Sequence, residues 1–244
     1  MNFAAKHLVI FKLIGYSMFV KGVSKMSHHV RTLFFRILLL VAAVFLYIAE
    51  TELFLWIEWV TWVVLAAGML RRIFPDKRVA AGARKHVKRF YIEAGRPSSA
   101  VSKHLHKGAF LSGLMWLAIT VAILFGLFAF NLLTPQTVLL LALLYAVADL
   151  VFILIFCPLQ AFFMKNACCT TCRIYNWDYF MICAPLIVFP SFYSISLVVL
   201  AAVVVVQWEV AVRKNPQFFV RESNAELTCA ACRDKTCGLR KIFM

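Results

Sequence analysis

The chain has 244 residues, of which 63% are hydrophobic and only 15% charged, too little polar surface to clothe a soluble globule of this length. Its formal charge is +15, but no helix–turn–helix, zinc-finger or RNA-binding signature accompanies the basic residues, which sets nucleic acid aside as a partner. The fold class that remains is an all-α integral membrane protein of about six transmembrane helices.

Residues 1–32 alternate short apolar runs with Lys6, Lys12, Lys21 and Lys25, the pattern of a basic amphipathic segment on an anionic inner leaflet. They lack an uninterrupted apolar core followed by a small-residue cleavage site, which disfavours a signal peptide. Residues 33–70 read as transmembrane hairpin 1, with spans Leu33–Ile48 and Leu53–Leu70 turning at Glu50-Thr51-Glu52. A single unbroken helix would overrun the bilayer and bury Glu50, Glu52 and Glu58 together. Trp56, Trp59 and Trp62 place Glu58 near the outer interface, where a structural role is the favoured one.

Residues 71–108 form a basic cytoplasmic loop, running from Arg71 and Arg72 to Lys103 and Lys107 and opposed only by Asp76 and Glu93. Its charges hold the loop inside and contact membrane lipid; docking of an acidic soluble electron carrier is the narrower reading. Ser98 or Ser99 is positioned to cap a short helix leading toward the third span. Residues 109–164 read as transmembrane hairpin 2, with spans Ala109–Leu133 and Val138–Met164. Asp149 lies near the middle of the fourth span. An ionised carboxylate at that depth costs about 2.5–3.5 kcal/mol, so Asp149 is either a proton-relay or quinone-site acid, the one candidate catalytic residue, or a structural hydrogen-bonding group.

Residues 165–178 carry the first cysteine cluster, Cys168-Cys169-x-x-Cys172. Residues 179–212 are a Pro-interrupted transmembrane hairpin 3, containing Pro185 and Pro190. This stretch is either one tilted helix or a short or re-entrant helix followed by a full span. Residues 213–244 are a cytoplasmic tail with the second cluster, Cys229-x-x-Cys232-x4-Cys237. Lys and Arg fall in three groups, Lys6 to Arg36, Arg71 to Lys107, and Lys165 to Lys241, and the last has no member between Arg173 and Arg213. The positive-inside rule places all three in the cytoplasm, with both termini and both cysteine clusters on the inner side of a bacterial-type cytoplasmic membrane.

Cys-x-x-Cys lets two thiolates converge on one centre, and a second such pair completes a four-sulfur shell. Cys169, Cys172, Cys229 and Cys232 are the first-choice ligands, with Cys168 and Cys237 in reserve. Cys157 and Cys183 lie in apolar stretches and read as packed thiols. A [4Fe–4S] cluster ranks above zinc because such ligand-rich runs are more at home in cluster proteins. Arg173, Arg233 and Lys235 would offset the thiolate charge in either case. A dithiol–disulfide pair ranks third, because cytoplasmic thiols are kept reduced. Haem is disfavoured, since His7, His28, His29, His86, His104 and His106 all lie in cytoplasmic segments. The expected function is that of an iron–sulfur membrane protein carrying electrons between a soluble carrier and a membrane acceptor such as quinone, as part of a membrane oxidoreductase. The alternative is a zinc-stabilised scaffold or transporter subunit without redox activity.

Overall fold

The structure, a computed structural model, describes residues 28–74, 86, 91–95, 99–164 and 171–228. Five of its helices are long and apolar enough to cross a membrane. The first two, α1 (His28–Ile48) and α2 (Phe54–Ile73), form the expected hairpin. At 1.5 Å per residue each spans about 30 Å, one hydrocarbon core. The turn between them follows from Glu50, whose φ of 48° reverses the chain and lets the Thr51 N–H reach the Leu46 carbonyl. α1 starts upstream of the expected span, so the basic amino-terminal segment overlaps it; residues 1–27 lie outside the described part.

α3 (Ser99–Ala129) corrects the sequence reading, since the short approach helix and the third span are one continuous helix of 31 residues. Its length, about 46 Å, exceeds the hydrocarbon core, so a part of it stands outside the core. It ends at Asn131, which adopts φ 56° while Leu132 N–H bonds back to the Leu127 carbonyl at 2.8 Å. This is the left-handed helix stop that asparagine tolerates. α4 (Pro135–Leu154) begins at once, capped by a reciprocal Thr134–Thr137 box with Pro135 in the first turn. Proline's missing N–H costs nothing at that position.

The fourth span does not continue to Met164. α4 stops at Leu154, and a π-helical turn, Gln160–Met164, follows after a break. Pro158 supplies the reason, because it lacks the N–H a helix needs there and biases Cys157 away from helical geometry.

The ambiguous Pro-interrupted stretch resolves into a short helix and a long return. α5 (Asp178–Cys183) passes into a 3₁₀ turn, Ala184–Val188, around Pro185. After Pro190, a Ser191–Ser194 capping box starts α6 (Phe192–Lys214). The broken segment sits at the centre of the bundle. Tyr179, Ile182, Cys183 and Leu186 pack with Leu65, Ala66 and Met69 of α2, Val138, Leu139, Ala142 and Ala146 of α4, and Leu197, Ala201 and Val204 of α6. Irregular backbone at membrane depth is tolerated only where protein surrounds it. Gly68 makes room for this segment, since a Cβ there would collide with the Tyr179 hydroxyl.

α1 packs on α4 and α2 on α6, with the Trp62 indole donating to Ser196 Oγ across the second pair. α3 is held chiefly at its amino-terminal part, against the π-helical turn. Gly108 lets the two backbones meet, as a Cβ there would lie 2.6 Å from the Phe163 carbonyl oxygen. Beyond α6 the chain folds back through the 3₁₀ turns Pro216–Phe219 and Ala225–Leu227. Among the described residues the only strand-like pairing is an isolated bridge between Glu93 and Asn224.

Candidate functional site

Three arginine–carboxylate pairs occupy apolar surroundings among the described residues. Arg36 belongs to the first, and its place corrects the sequence reading, which grouped it with the cytoplasmic charges before the first span. It lies inside α1, buried, and donates from Nη1 to the Ala146 carbonyl at 2.6 Å and to Asp149 Oδ2 at 3.3 Å. Asp149 therefore faces a cation on a neighbouring helix, not lipid.

The second pair joins the last turn of α2 to the first residue of α5. Arg72 donates both terminal nitrogens to Asp178, at 2.5 and 2.6 Å, and Nη1 also reaches Asn176 Oδ1 at 2.9 Å. Its guanidinium stacks 4.5 Å from the Tyr179 ring centroid and 5.3 Å from that of Tyr175. A planar fork and two aromatic faces are what arginine satisfies and lysine does not. Asp178 also accepts the Tyr179 N–H at 2.8 Å. Burial pushes the Tyr175 phenol above its ordinary range, with Arg72 opposing.

The third pair sits beside the first cysteine cluster. Arg173 donates to both oxygens of Glu209, at 3.0 and 2.6 Å, and Glu209 also accepts from the Trp177 indole at 2.9 Å. The expectation that Arg173 offsets thiolate charge thus meets a prior partner: Glu209 already balances it. His106 Nδ1 lies 3.4 Å from Arg173 Nη2.

Next to these pairs lies a cavity of about 230 Å³ between α3, α4 and residues 172–182. Its wall is mostly apolar, with Met115, Trp116, Phe152 and Met181, and it includes Asp149, Asp178, Cys157 and Cys172. A small apolar cavity with a few convergent polar groups is the usual form of a ligand site. The Trp116 indole nitrogen is buried there without a hydrogen-bond partner, and Tyr145 bonds to Thr120 at 3.0 Å.

Of the expected ligands only Cys172 is described. It is buried in one apolar cluster with Leu105, Ala109, Met164, Ile174 and Val220. Cys168, Cys169, Cys229, Cys232 and Cys237 lie outside the described residues. Among the described residues no three His, Cys, Asp or Glu side chains gather in a way that could hold a metal. Cys183 is fully buried in the main core, as expected of a packed thiol. Cys157 is not inside a span: it sits in the break after α4, where its sulfur accepts the Gln160 N–H at 3.4 Å.

The stem of the second cysteine cluster is anchored against the first. Trp208 donates its indole N–H to the Arg173 carbonyl at 2.5 Å, and its ring meets Phe219 edge-on at 5.0 Å. His86 stacks on Phe219 at 4.7 Å and approaches the Phe218 carbonyl at 3.1 Å. Asn224 donates to that same carbonyl at 2.9 Å, and Ser223 Oγ donates to the Gln217 carbonyl at 2.6 Å. Thr228, one residue before Cys229, hydrogen-bonds through Oγ1 to the Ala225 carbonyl at 2.7 Å. The stem is thereby held as far as the cluster's threshold.

Sequence reasoning passed over Asp178 and Glu209, and treated Arg72 as a loop charge. The available signal was an acid within each of two apolar stretches, Asp149 and Glu209, and one at the threshold of the second, Asp178, with Arg36, Arg72 and Arg173 at or just beyond the ends of apolar stretches. Comparison with family models, curated proteins and solved structures finds no match for the chain.

Proposed function

We propose that this chain is an integral membrane metalloprotein with six crossings, the fifth of them the broken segment 178–189, and with both termini and both cysteine clusters on the cytoplasmic side of a bacterial-type inner membrane. Support for the fifth crossing comes from its two ends. Asp178 pairs with Arg72 in the last turn of α2, whereas Phe189 and Ser191 line a cavity with Thr51, Glu52 and Pro135 at the other end of the bundle. Two crossings between Arg173 and Arg213 keep the cysteine clusters on one side.

In this reading Cys169, Cys172, Cys229 and Cys232 hold one metal centre, a [4Fe–4S] cluster, with Cys168 and Cys237 as substitutes, and the acceptor is a lipid-soluble quinone in the cavity between α3 and α4. The observation that carries it is the double placement of Cys172. It lines the cavity that Asp149 lines, and it shares a buried cluster with Val220 on the stem of the second cysteine run. The donor set fits, because thiolate ligands suit a soft or borderline metal. A cluster, when bound, supplies one-electron exchange at a potential set by its surroundings. The chain's own residues do the rest. Glu209 holds Arg173 and Trp177 in place beside Cys172, Arg36 orients Asp149 at the cavity wall, and the apolar lining excludes water. A soluble acidic electron donor would dock on the basic inner face.

Anaerobic purification followed by iron, acid-labile sulfide and zinc analysis tests this. Iron and sulfide in equal amounts are expected. Stoichiometric zinc without sulfide would replace electron transfer by the zinc-stabilised scaffold, and neither metal would overturn the shared centre.

A further inference from the structure

At the end of the bundle opposite Cys157 and Cys172, a cavity of about 200 Å³ opens among the α1–α2 turn, the start of α4 and the start of α6. Glu58 lines it from α2, about one turn inside the helix. A carboxylate within a span is ordinarily met by a charge or a hydrogen-bond donor. Glu58 has neither an ion pair nor a hydrogen bond among the described residues. Two further polar atoms of the same wall, the hydroxyls of Tyr193 and Thr51, are buried with no hydrogen-bond partner. The Ser191 and Ser194 hydroxyls beside them are used in capping α6, so they do not serve Glu58.

The sequence supplies no internal cation either. No Lys, Arg or His occurs between Arg36 and Arg71, between Lys107 and Lys165, or between Arg173 and Arg213, and these intervals hold all three segments that build this end. Glu52 adds a second carboxylate to the wall. No basic side chain of these segments supplies a counter-charge at this end.

The remaining wall decides its chemistry. Phe54, Leu55, Pro135, Val138, Leu139, Leu186 and Phe189 present carbon, with aromatic rings among them, and Gln136 adds one amide. A hard metal cation wants six to eight oxygen ligands gathered about one point, and among the described residues no three His, Cys, Asp or Glu side chains gather in that way. An ammonium on a small apolar body fits: carboxylate and phenol oxygen accept its N–H groups, and aromatic and aliphatic side chains take its hydrocarbon. We infer that this cavity is a binding site for a small organic ammonium ion, with Glu58 as counter-ion and Tyr193 as second acceptor.

The cavity shares no lining residue with the one that Cys157 and Cys172 line, and its test does not depend on the metal reading. The full-length protein as purified, in detergent at low salt, is titrated calorimetrically with phenethylammonium and with its neutral analogue 2-phenylethanol. Saturable binding of the amine is expected, with the alcohol at least about tenfold weaker, Glu58→Gln about tenfold weaker for the amine, and Tyr193→Phe weaker severalfold. Equal affinity for the alcohol would reduce the effect to apolar partitioning and overturn the proposal. So would unchanged amine binding in Glu58→Gln, or Glu58-dependent binding of Ca²⁺ in place of the amine. Should Glu58→Gln fail to fold, Glu58→Asp and Tyr193→Phe carry the same comparison.

Discussion

Arg72 illustrates how much one side chain decides in an apolar frame. Its guanidinium is shared by Asp178, Asn176 and two tyrosine rings, so its removal leaves a buried carboxylate without a counter-charge. Breaking a buried pair on one side costs about 3–5 kcal/mol, whereas replacing both partners by apolar groups of similar size is often nearly neutral. Arg72→Ala is therefore expected to lower stability by about that amount in a denaturant or thermal titration in detergent. Arg72→Lys should recover little, because an ammonium cannot form the bidentate fork. Arg72→Met combined with Asp178→Leu should recover most of it. A loss below about 1 kcal/mol for Arg72→Ala would mean water reaches Asp178. The sequence hid this pair for a physical reason. An arginine one turn from a span's end can snorkel outward or turn inward, and residue type alone does not choose between them. Asp149 was legible because it stood deep in an apolar run; Arg36, at the edge of one, was not.

At the scale of elements, the turns were the most readable part. Glu50 to Glu52, Asn131 to Pro135 and Pro190 each interrupt apolar sequence with groups that reverse a chain or start a helix, and each became a turn. The break inside 138–164 was harder to see, since the chain stays apolar from Leu154 through Met164 and hydropathy does not register a missing N–H. Pro158 was its only mark. The capping boxes give a direct test of the turns. Ser191→Ala removes the side chain that accepts the Ser194 N–H, and about 1 kcal/mol of stability should go with it. Retained stability would place the start of α6 elsewhere. A second element-level test uses the close approach at Gly68. Gly68→Ala drives a methyl into the Tyr179 hydroxyl, and overpacking of this kind costs about 1–3 kcal/mol. Combining it with Tyr179→Phe, which deletes the nearest atom, should return part of the loss in the same titration; no recovery would show that α2 and α5 are displaced as whole elements.

For the whole molecule, function turns on whether the two cysteine runs meet, and both ends of that question are visible. The first run ends in Cys172, buried against the cluster that contains Val220. The second begins one residue past Thr228, on a stem pinned to Trp208 and His86 through Phe218 and Phe219. The clusters themselves were plain in the sequence as spacing, and charge placement led to the expectation that they share a side; whether they meet depends on the broken segment 178–189 and α6 together returning the chain to its starting side. If they form one centre, Cys172→Ser and Cys232→Ser should each lose most of the bound metal and the double variant little more, since ligands of one site act as a unit. Cys157→Ser should keep the metal, although Cys157 lines the same cavity as Cys172. Reporters placed at Asn166 and after Met244 should both read cytoplasmic, and one within Thr134–Gln136 should read outside. Opposite locations for Asn166 and Met244 would separate the clusters by a membrane, and half-losses that add in the double variant would assign them to two independent sites.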